Sequence, residues 1–441
     1  MTATIARQRR ELPLVLRNRS FGAVWLGQVL TQAAVRMFQV GVSWWLVAYA
    51  VGAGRGLASG LFMAVSTLPA VALAPLVARA VSRLAHRSVL RTAAATAGAA
   101  VLLLALVAYG GAPPTVAAYA ATLVLASCQA FFDPCLTTSV PELVDDADIE
   151  AATGFELSTQ SLASLGGALL GALVVDAAGM AGLAAGCAAA YLAAALLVTT
   201  VRFRPAVAPE PQDGVESGAG TARGLRQVLA GLPAIRKILV CFTAANLFTT
   251  AVFVVIPLYT KSELGGGGST VALLEAGLGT GTLLGSITGA RVPGRPTRLG
   301  ACLLAVMAAA FTVAYLVAGR LVLAGCLVVA GWCVGVIGVR FVALFQRLVP
   351  PADKPAFFAV MQAVLGASFP VASLLFGLLG DHLPARTLCL VQAAGLVPAA
   401  IALALLRGPS ADDRERGRAG TNRQPRPSDP APEFVATGGE R

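Results

Sequence analysis

The sequence predicts an all-α membrane protein with twelve transmembrane helices in two pseudo-symmetric six-helix bundles. Three observations predict it. Of the 441 residues, 57% are hydrophobic and only 12% are charged, whereas a soluble domain carries roughly 25% charged residues. Apolar stretches near the ~20 residues that a bilayer-crossing helix needs recur along the whole chain. The chain also repeats itself. ELVDDADIEA, from Glu142, returns as RLVPPADKPA, from Arg347, a shift of 205 residues that lays Leu143 on Leu348, Val144 on Val349, Ala147 on Ala352, Asp148 on Asp353 and Ala151 on Ala356. The register persists through the apolar run that follows, with Leu169 and Leu170 on Leu374 and Leu375, and ends with Asp176 opposite Asp381. Repeats related along the membrane normal are one way in which large helical membrane proteins are assembled.

In chain order the spans fall at about 21–50, 57–81, 89–109, 115–138, 151–175 and 180–201, then at about 235–260, 270–291, 299–318, 321–344, 356–380 and 386–406. The basic start does not read as a cleaved leader, because the apolar stretch after it far exceeds the roughly 7–15 residues of such a core. The N-terminal half is 1–204 and the C-terminal half 235–407, joined by a linker at 205–234 that opens PAVAPEPQDGVESGAGTARG. Its Pro, Gly and charge leave little that could pack, so it reads as flexible. The tail at 408–441 has the same character and reads as disordered. Short loops rich in Lys and Arg are retained in the cytoplasm. Of the 33 Lys and Arg, 27 lie on the side of the termini and four, Arg55, Lys261, Arg320 and Arg386, on the other, with Arg36 and Arg340 inside spans. The expectation is a multi-pass plasma-membrane protein with both termini, linker and tail cytoplasmic.

The net charge of +11 does not point to nucleic acid, because the basic residues are spread over short loops without interleaved aromatics. The eight cysteines lie inside apolar runs with no CxxC pair and read as small core residues, so no metal or other cofactor is expected. There is no Walker A motif, and no nucleophile, base and metal constellation, so the chain is not expected to be an enzyme.

In span eight, Gly277, Gly281 and Gly285 recur every four residues, a bare ridge that lets another helix approach closely. Span one carries Gln28, Gln32, Arg36 and Gln39 at spacings of 4, 4 and 3, which put them on one helix face. In hydrocarbon the Arg alone would cost roughly 3 kcal/mol, so the stripe must face a watery cavity or polar partners. An Arg tied to a neighbouring helix to fix packing is the alternative. Asp133, in the inner third of span four, is a proton-coupling candidate, because an intramembrane carboxyl can bind and release a proton as access switches sides. Pro134 follows it, so a helix break competes with that role. Glu156, near the inner end of span five, is a second candidate. Both it and Glu275, near the outer end of span eight, lie within about two turns of an interface where they could simply reach water. Arg340 adds a second intramembrane cation, in span ten.

Four stretches, LRNRSFGAVWLGQ, VRMFQVGVSWWLV, VPELVDDADIEAATG and its echo QRLVPPADKPAF, together with two parallel halves and a central linker, resemble the major facilitator superfamily. The resemblance spans about 17–407 and is strongest to the branch of siderophore and macrolide exporters. It implies that helices one, four, seven and ten line a central cavity, which adds Asn246 and Arg340 to the candidates already on spans one and four. It also implies a cytoplasmic latch after span two. The matching stretch Ala78 to Arg87 has Ser82 where the family has Asp, keeps Arg83, and offers His86 and Arg87 for the basic pair. The exporter pattern Gly-Pro-x-x-Gly-Gly in span five survives here as Gly167 and Gly171 without the Pro. The resulting expectation is a monomeric, proton-coupled exporter of a small amphipathic organic molecule, such as a drug, antibiotic or siderophore-like metabolite, working by alternating access. A lipid or lysolipid flippase and a non-transporting membrane sensor or scaffold are the alternatives.

Overall fold

A computed structural model describes residues 14–144, 148–201, 233–349 and 354–406. The tail, and all but the last two residues of the linker, lie outside the described residues. Every regular element among the described residues is a helix. Span one is Arg19–Trp45, capped by Asn18, whose side chain accepts from the Phe21 amide at 3.1 Å, and it runs on through one π turn at Leu46–Ala50. Span two is Arg55–Ala72 and Ala74–Arg83, broken at Leu73. The break sits just ahead of Pro75, which has no amide to continue the ladder. Span three is His86–Tyr109 and span four Thr115–Leu143.

Spans five and six, expected as separate helices, share the single stretch Ile149–Thr200, interrupted at Gly179 (φ 65°, ψ −169°). Only a residue without Cβ enters that conformation without strain. The second half runs Pro233–Thr250 with Val252–Ser262, then Gly268–Thr288, Pro296–Leu316, Arg320–Leu348, Lys354–His382 and Ala385–Leu405. Ten helical stretches among the described residues are long and apolar enough to cross a membrane. Span one, whose Gln and Arg stripe lowers its hydropathy, and the division at Gly179 bring the total to twelve.

Within the halves, span one packs on five, three on six, eight on ten and nine on twelve. The halves meet through span two on eleven and span five on eight, a seam that maps onto itself when the halves are exchanged. Glycines set the close contacts. Gly277, Gly281 and Gly285 lie against the carbonyls of Ala324, Val328 and Trp332 in span ten, so residues four apart on one helix meet residues four apart on the other. A methyl at Gly277 would stand 3.0 Å from the Ala324 oxygen, and the other two sites are tighter still. In span five, Gly167 and Gly171 meet the carbonyls of Ala33 and Met37 in the same manner.

Candidate functional site: a polar cluster between the halves

The glycine contacts of span five bring the polar face of span one to its place, because Ala33 and Met37 bracket Arg36. The Arg36 Cβ itself lies against Gly167. Gln28 and Gln32 are buried, at 2% and 5% exposure. Gln32 donates from Nε2 to Asp133 Oδ1 at 2.8 Å, and Gln129, one turn before Asp133 on span four, donates to the same oxygen at 2.5 Å. Arg36 Nη1 donates to Gln39 Oε1 at 3.2 Å. The Arg36 side chain keeps open surface. Its charge interacts with both Asp133 and Glu275.

Glu275 was expected to reach water and does not. It is only 8% exposed, because it shares a helix face with Gly268 and Gly279, and that face packs on span five against Ala172 and Leu165. Glu275 therefore places a carboxylate of the C-terminal half within electrostatic reach of Arg36 of the N-terminal half. Tyr191 of span six is a further member that sequence reasoning missed. Its hydroxyl is buried and has no hydrogen-bond partner among the described residues, within electrostatic reach of Asp133.

Other candidates lie elsewhere. Asn246 ties span seven to eleven, donating from Nδ2 to Ser368 Oγ at 2.7 Å and to the Leu365 carbonyl at 3.1 Å. Arg340 stands apart from the cluster, at the end of the bundle that carries the termini, where Nη2 donates to the Gly294 carbonyl at 2.7 Å. The side chains of Glu156 and Ser82 lie outside those described. In the latch region His86 Nδ1 pairs with Glu142 Oε1 at 2.6 Å, Arg87 donates to the Thr199 carbonyl, and Arg83 is exposed. These bonds join spans three, four and six within the N-terminal half.

The opposite end of the bundle holds the halves together. Asp381, closing span eleven, accepts from the amides of Gly56 at 2.7 Å and Leu57 at 3.0 Å, the first turn of span two. Asp176, closing the helical run of span five, accepts from Trp44 Nε1 at 2.7 Å, Tyr49 OH at 2.8 Å and the Gly268 amide of span eight. The N-cap residues of spans two and eight are Gly54 and Gly267, with no cap of their own. Each helix start is thus capped by an Asp from the other half, satisfying amides that have no intrahelical partner. Gly56 and Gly60 lie against Gly377 and Ser373 beside this contact. The bonds of Asp176 and Asp381 to the opposite half thus lie together at this end.

The C-terminal half packs aromatic rings between its own spans, and Phe341, Phe345 and Phe357 are buried there. Phe242 of span seven meets Phe341 of span ten at 4.2 Å between ring centroids, and the chain of rings continues through Phe345 to Phe357 at 5.2 Å and Phe358 at 5.5 Å. Phe253 and Phe369 pair at 5.8 Å.

Two six-helix halves joined at one end around a buried polar cluster are the architecture of an alternating-access membrane transporter. The Major Facilitator Superfamily pattern matches residues 24–319, and the chain belongs to that family, a family of transporters and not of enzymes. No curated protein sequence matches it. Among solved structures it is similar to the nucleoside transporter NupG, with 13% identity and a TM-score of 0.69 over 87% of this chain and 98% of that one. It is similar to a bacterial homologue of the iron transporter ferroportin in an inward-facing state, with 13% identity and a TM-score of 0.67 over 87% and 98%. It is also similar to the inward-open xylose transporter XylE from E. coli, with 13% identity and a TM-score of 0.64 over 90% and 98%. At such identities the likeness is one of fold.

Proposed function

We propose that the chain is a proton-coupled exporter of a small amphipathic organic molecule, a drug, antibiotic or siderophore-like metabolite, in the branch of siderophore and macrolide exporters. The observation that carries this reading is the interior. Arg36, Asp133 and Glu275 bring two carboxylates and one cation within electrostatic reach of one another, and the half-buried Phe253 and Phe369 pair on spans seven and eleven. A molecule with one polar and one apolar end finds a partner for each. The carboxylates are the proton carriers. With the proton off, Asp133 and Glu275, kept ionised by Arg36, hold a donor group of the substrate; with it on, they release it. Coupling follows because substrate and proton compete for the same carboxylates.

In this reading the termini, the 205–234 linker and the 408–441 tail are cytoplasmic, as the bias of 27 against four Lys and Arg supports. The Asp176 and Asp381 caps then close the outer face, and the state described is inward-facing. The transporter works as a monomer in the plasma membrane. The test is uptake of labelled amphipathic compounds into inside-out vesicles, with and without an imposed proton gradient. Gradient-dependent accumulation is expected, and uptake indifferent to the gradient would sink proton coupling.

A further inference from the structure

A cavity of about 380 Å³ lies on the seam, at the end that carries the Asp caps. That is within the usual size range of small-ligand sites. Both halves build it, Val47 and Arg55 from one, Lys261, Glu263 and Asp381 from the other. Its four charged side chains are not equally engaged. Asp381 has both oxygens on the Gly56 and Leu57 amides, and Glu263 Oε2 faces Arg386 Nε at 3.0 Å. The two cations have no carboxylate among the described residues. Arg55 spends Nε on the Val51 carbonyl at 3.0 Å, and Lys261 Nζ sits 5.9 Å from the centroid of the Tyr49 ring. A guanidinium has five N–H donors and an ammonium three, so most of their donors have no protein acceptor. The gathering also runs against the rest of the chain. That face carries only four Lys and Arg, yet Arg55 and Lys261 line this cavity and Arg386 pairs with Glu263 at its edge.

We propose that this cavity binds a small oxyanion, a sulfate, phosphate or short polycarboxylate, held between Arg55 of the N-terminal half and Lys261 of the C-terminal half. The guanidinium fork takes two oxygens of the anion and the ammonium a third. Because the two cations belong to different halves, the site is complete only while the seam is shut. An anion bound there stabilises the shut state by mass action, so that at ten times its dissociation constant the shut population gains about tenfold. On the orientation given under Proposed function, the site faces outward and external oxyanion slows opening of the outer gate.

The binding test does not depend on that orientation or on export. Purified full-length protein in detergent is titrated with sodium sulfate or citrate against sodium chloride at matched ionic strength. The readouts are thermal midpoint and thiol labelling, above that of the parent, of Ser373→Cys, a near-isosteric change at a buried seam residue. A saturable rise in midpoint and loss of labelling are expected with either oxyanion. Arg55→Gln and Lys261→Gln should each raise the half-saturating concentration at least fivefold, and Arg320→Gln should leave it unchanged. If the Cys variant fails to fold, the midpoint titration of Lys261→Gln alone decides the matter. Unsaturable shifts, equal shifts with chloride, or wild-type titrations from both cation variants would overturn the site.

Discussion

The two halves share one fold and differ in the side chains they carry inside. In the N-terminal half Gln32 and Gln129 donate to Asp133 and Arg36 donates to Gln39, whereas the C-terminal half packs phenylalanine rings between its own spans and brings one carboxylate, Glu275, to the seam. The repeat is preserved where the architecture needs it, in the loops after spans four and ten and in the pair Asp176 and Asp381. It has been lost where the chemistry sits. A duplicated scaffold can thus keep its seam symmetric while its two halves specialise, one in polar and the other in aromatic side chains.

The largest effect should come from breaking the polar cluster. Arg36→Gln removes the cation, and Arg36→Lys keeps the charge but loses the planar fork. Both should fold and insert while losing most transport, on the order of tenfold or more if one charged hydrogen bond is worth about 1.5–3 kcal/mol. Asp133→Asn and Glu275→Gln should keep insertion and weaken the response to a pH gradient. The measure is vesicle uptake per mole of protein at two gradients. Parental rates and parental gradient response in all four would mean that the cluster is structural.

Glycine contacts sharpen the comparison because they exist on both sides. Ala at Gly281 meets the Val328 carbonyl inside van der Waals contact, and Ala at Gly171 meets that of Met37. Overpacking of this sort costs about 1–3 kcal/mol, so both variants should lower the thermal midpoint. Only Gly171→Ala moves the helix that carries Arg36, so it alone should also depress transport once expression is matched. Equal transport losses from the two would show that the halves are not specialised.

In the C-terminal half, Phe253→Ala removes a half-buried ring that pairs with Phe369. An aromatic pair is worth roughly 0.5–1.5 kcal/mol beyond its buried area. A rise of threefold to tenfold in the half-saturating substrate concentration is expected, with the pH-gradient response untouched. A change in gradient response instead would place a coupling step at these rings.

These contrasts explain what could be read from the sequence. Hydropathy is local, so the spans appear in order, and the stripe on span one is a single-helix periodicity that exposes Arg36 and its Gln neighbours directly. Glu275 was misjudged because its distance from a helix end was counted, while its cover comes from span five, about a hundred residues upstream. The sharing of one face by Gly268, Glu275 and Gly279 was the available signal, since small residues on that face mean a packed neighbour. The chain of phenylalanine rings was invisible for the same reason: Phe242, Phe341 and Phe357 sit on three spans, and each is ordinary alone. Asp176 and Asp381 were recognisable as equivalents, but what they bind depends on Gly54 and Gly267 lacking any cap, a fact of three-dimensional partnership.

The smallest effect, and the finest test of the comparison, lies at those caps. The two Asp look alike in sequence but are not held alike. Both donors to Asp381, the amides of Gly56 and Leu57, belong to the opposite half. Asp176 has one such donor, Gly268, and two from its own half, Trp44 and Tyr49. When the seam opens, Asp381 loses every one of these partners and Asp176 keeps two. Asp381→Ala therefore acts mainly on the balance between shut and open seam, whereas Asp176→Ala acts mainly on the stability of its own half, since the Trp44 and Tyr49 donors lose their acceptor in both states. Loss of a helix cap costs about 0.5–2 kcal/mol, so Asp381→Ala should raise the open population by roughly twofold to thirtyfold, read as faster thiol labelling of Ser373→Cys, buried at the seam. Asp176→Ala should change that labelling less and lower the thermal midpoint more. Asp381→Asn, which keeps one acceptor oxygen, should fall between Asp381→Ala and the parent. If Asp176→Ala opened the seam more than Asp381→Ala did, the bonds drawn within the N-terminal half would not hold Asp176 in place, and the asymmetry between the caps would be lost.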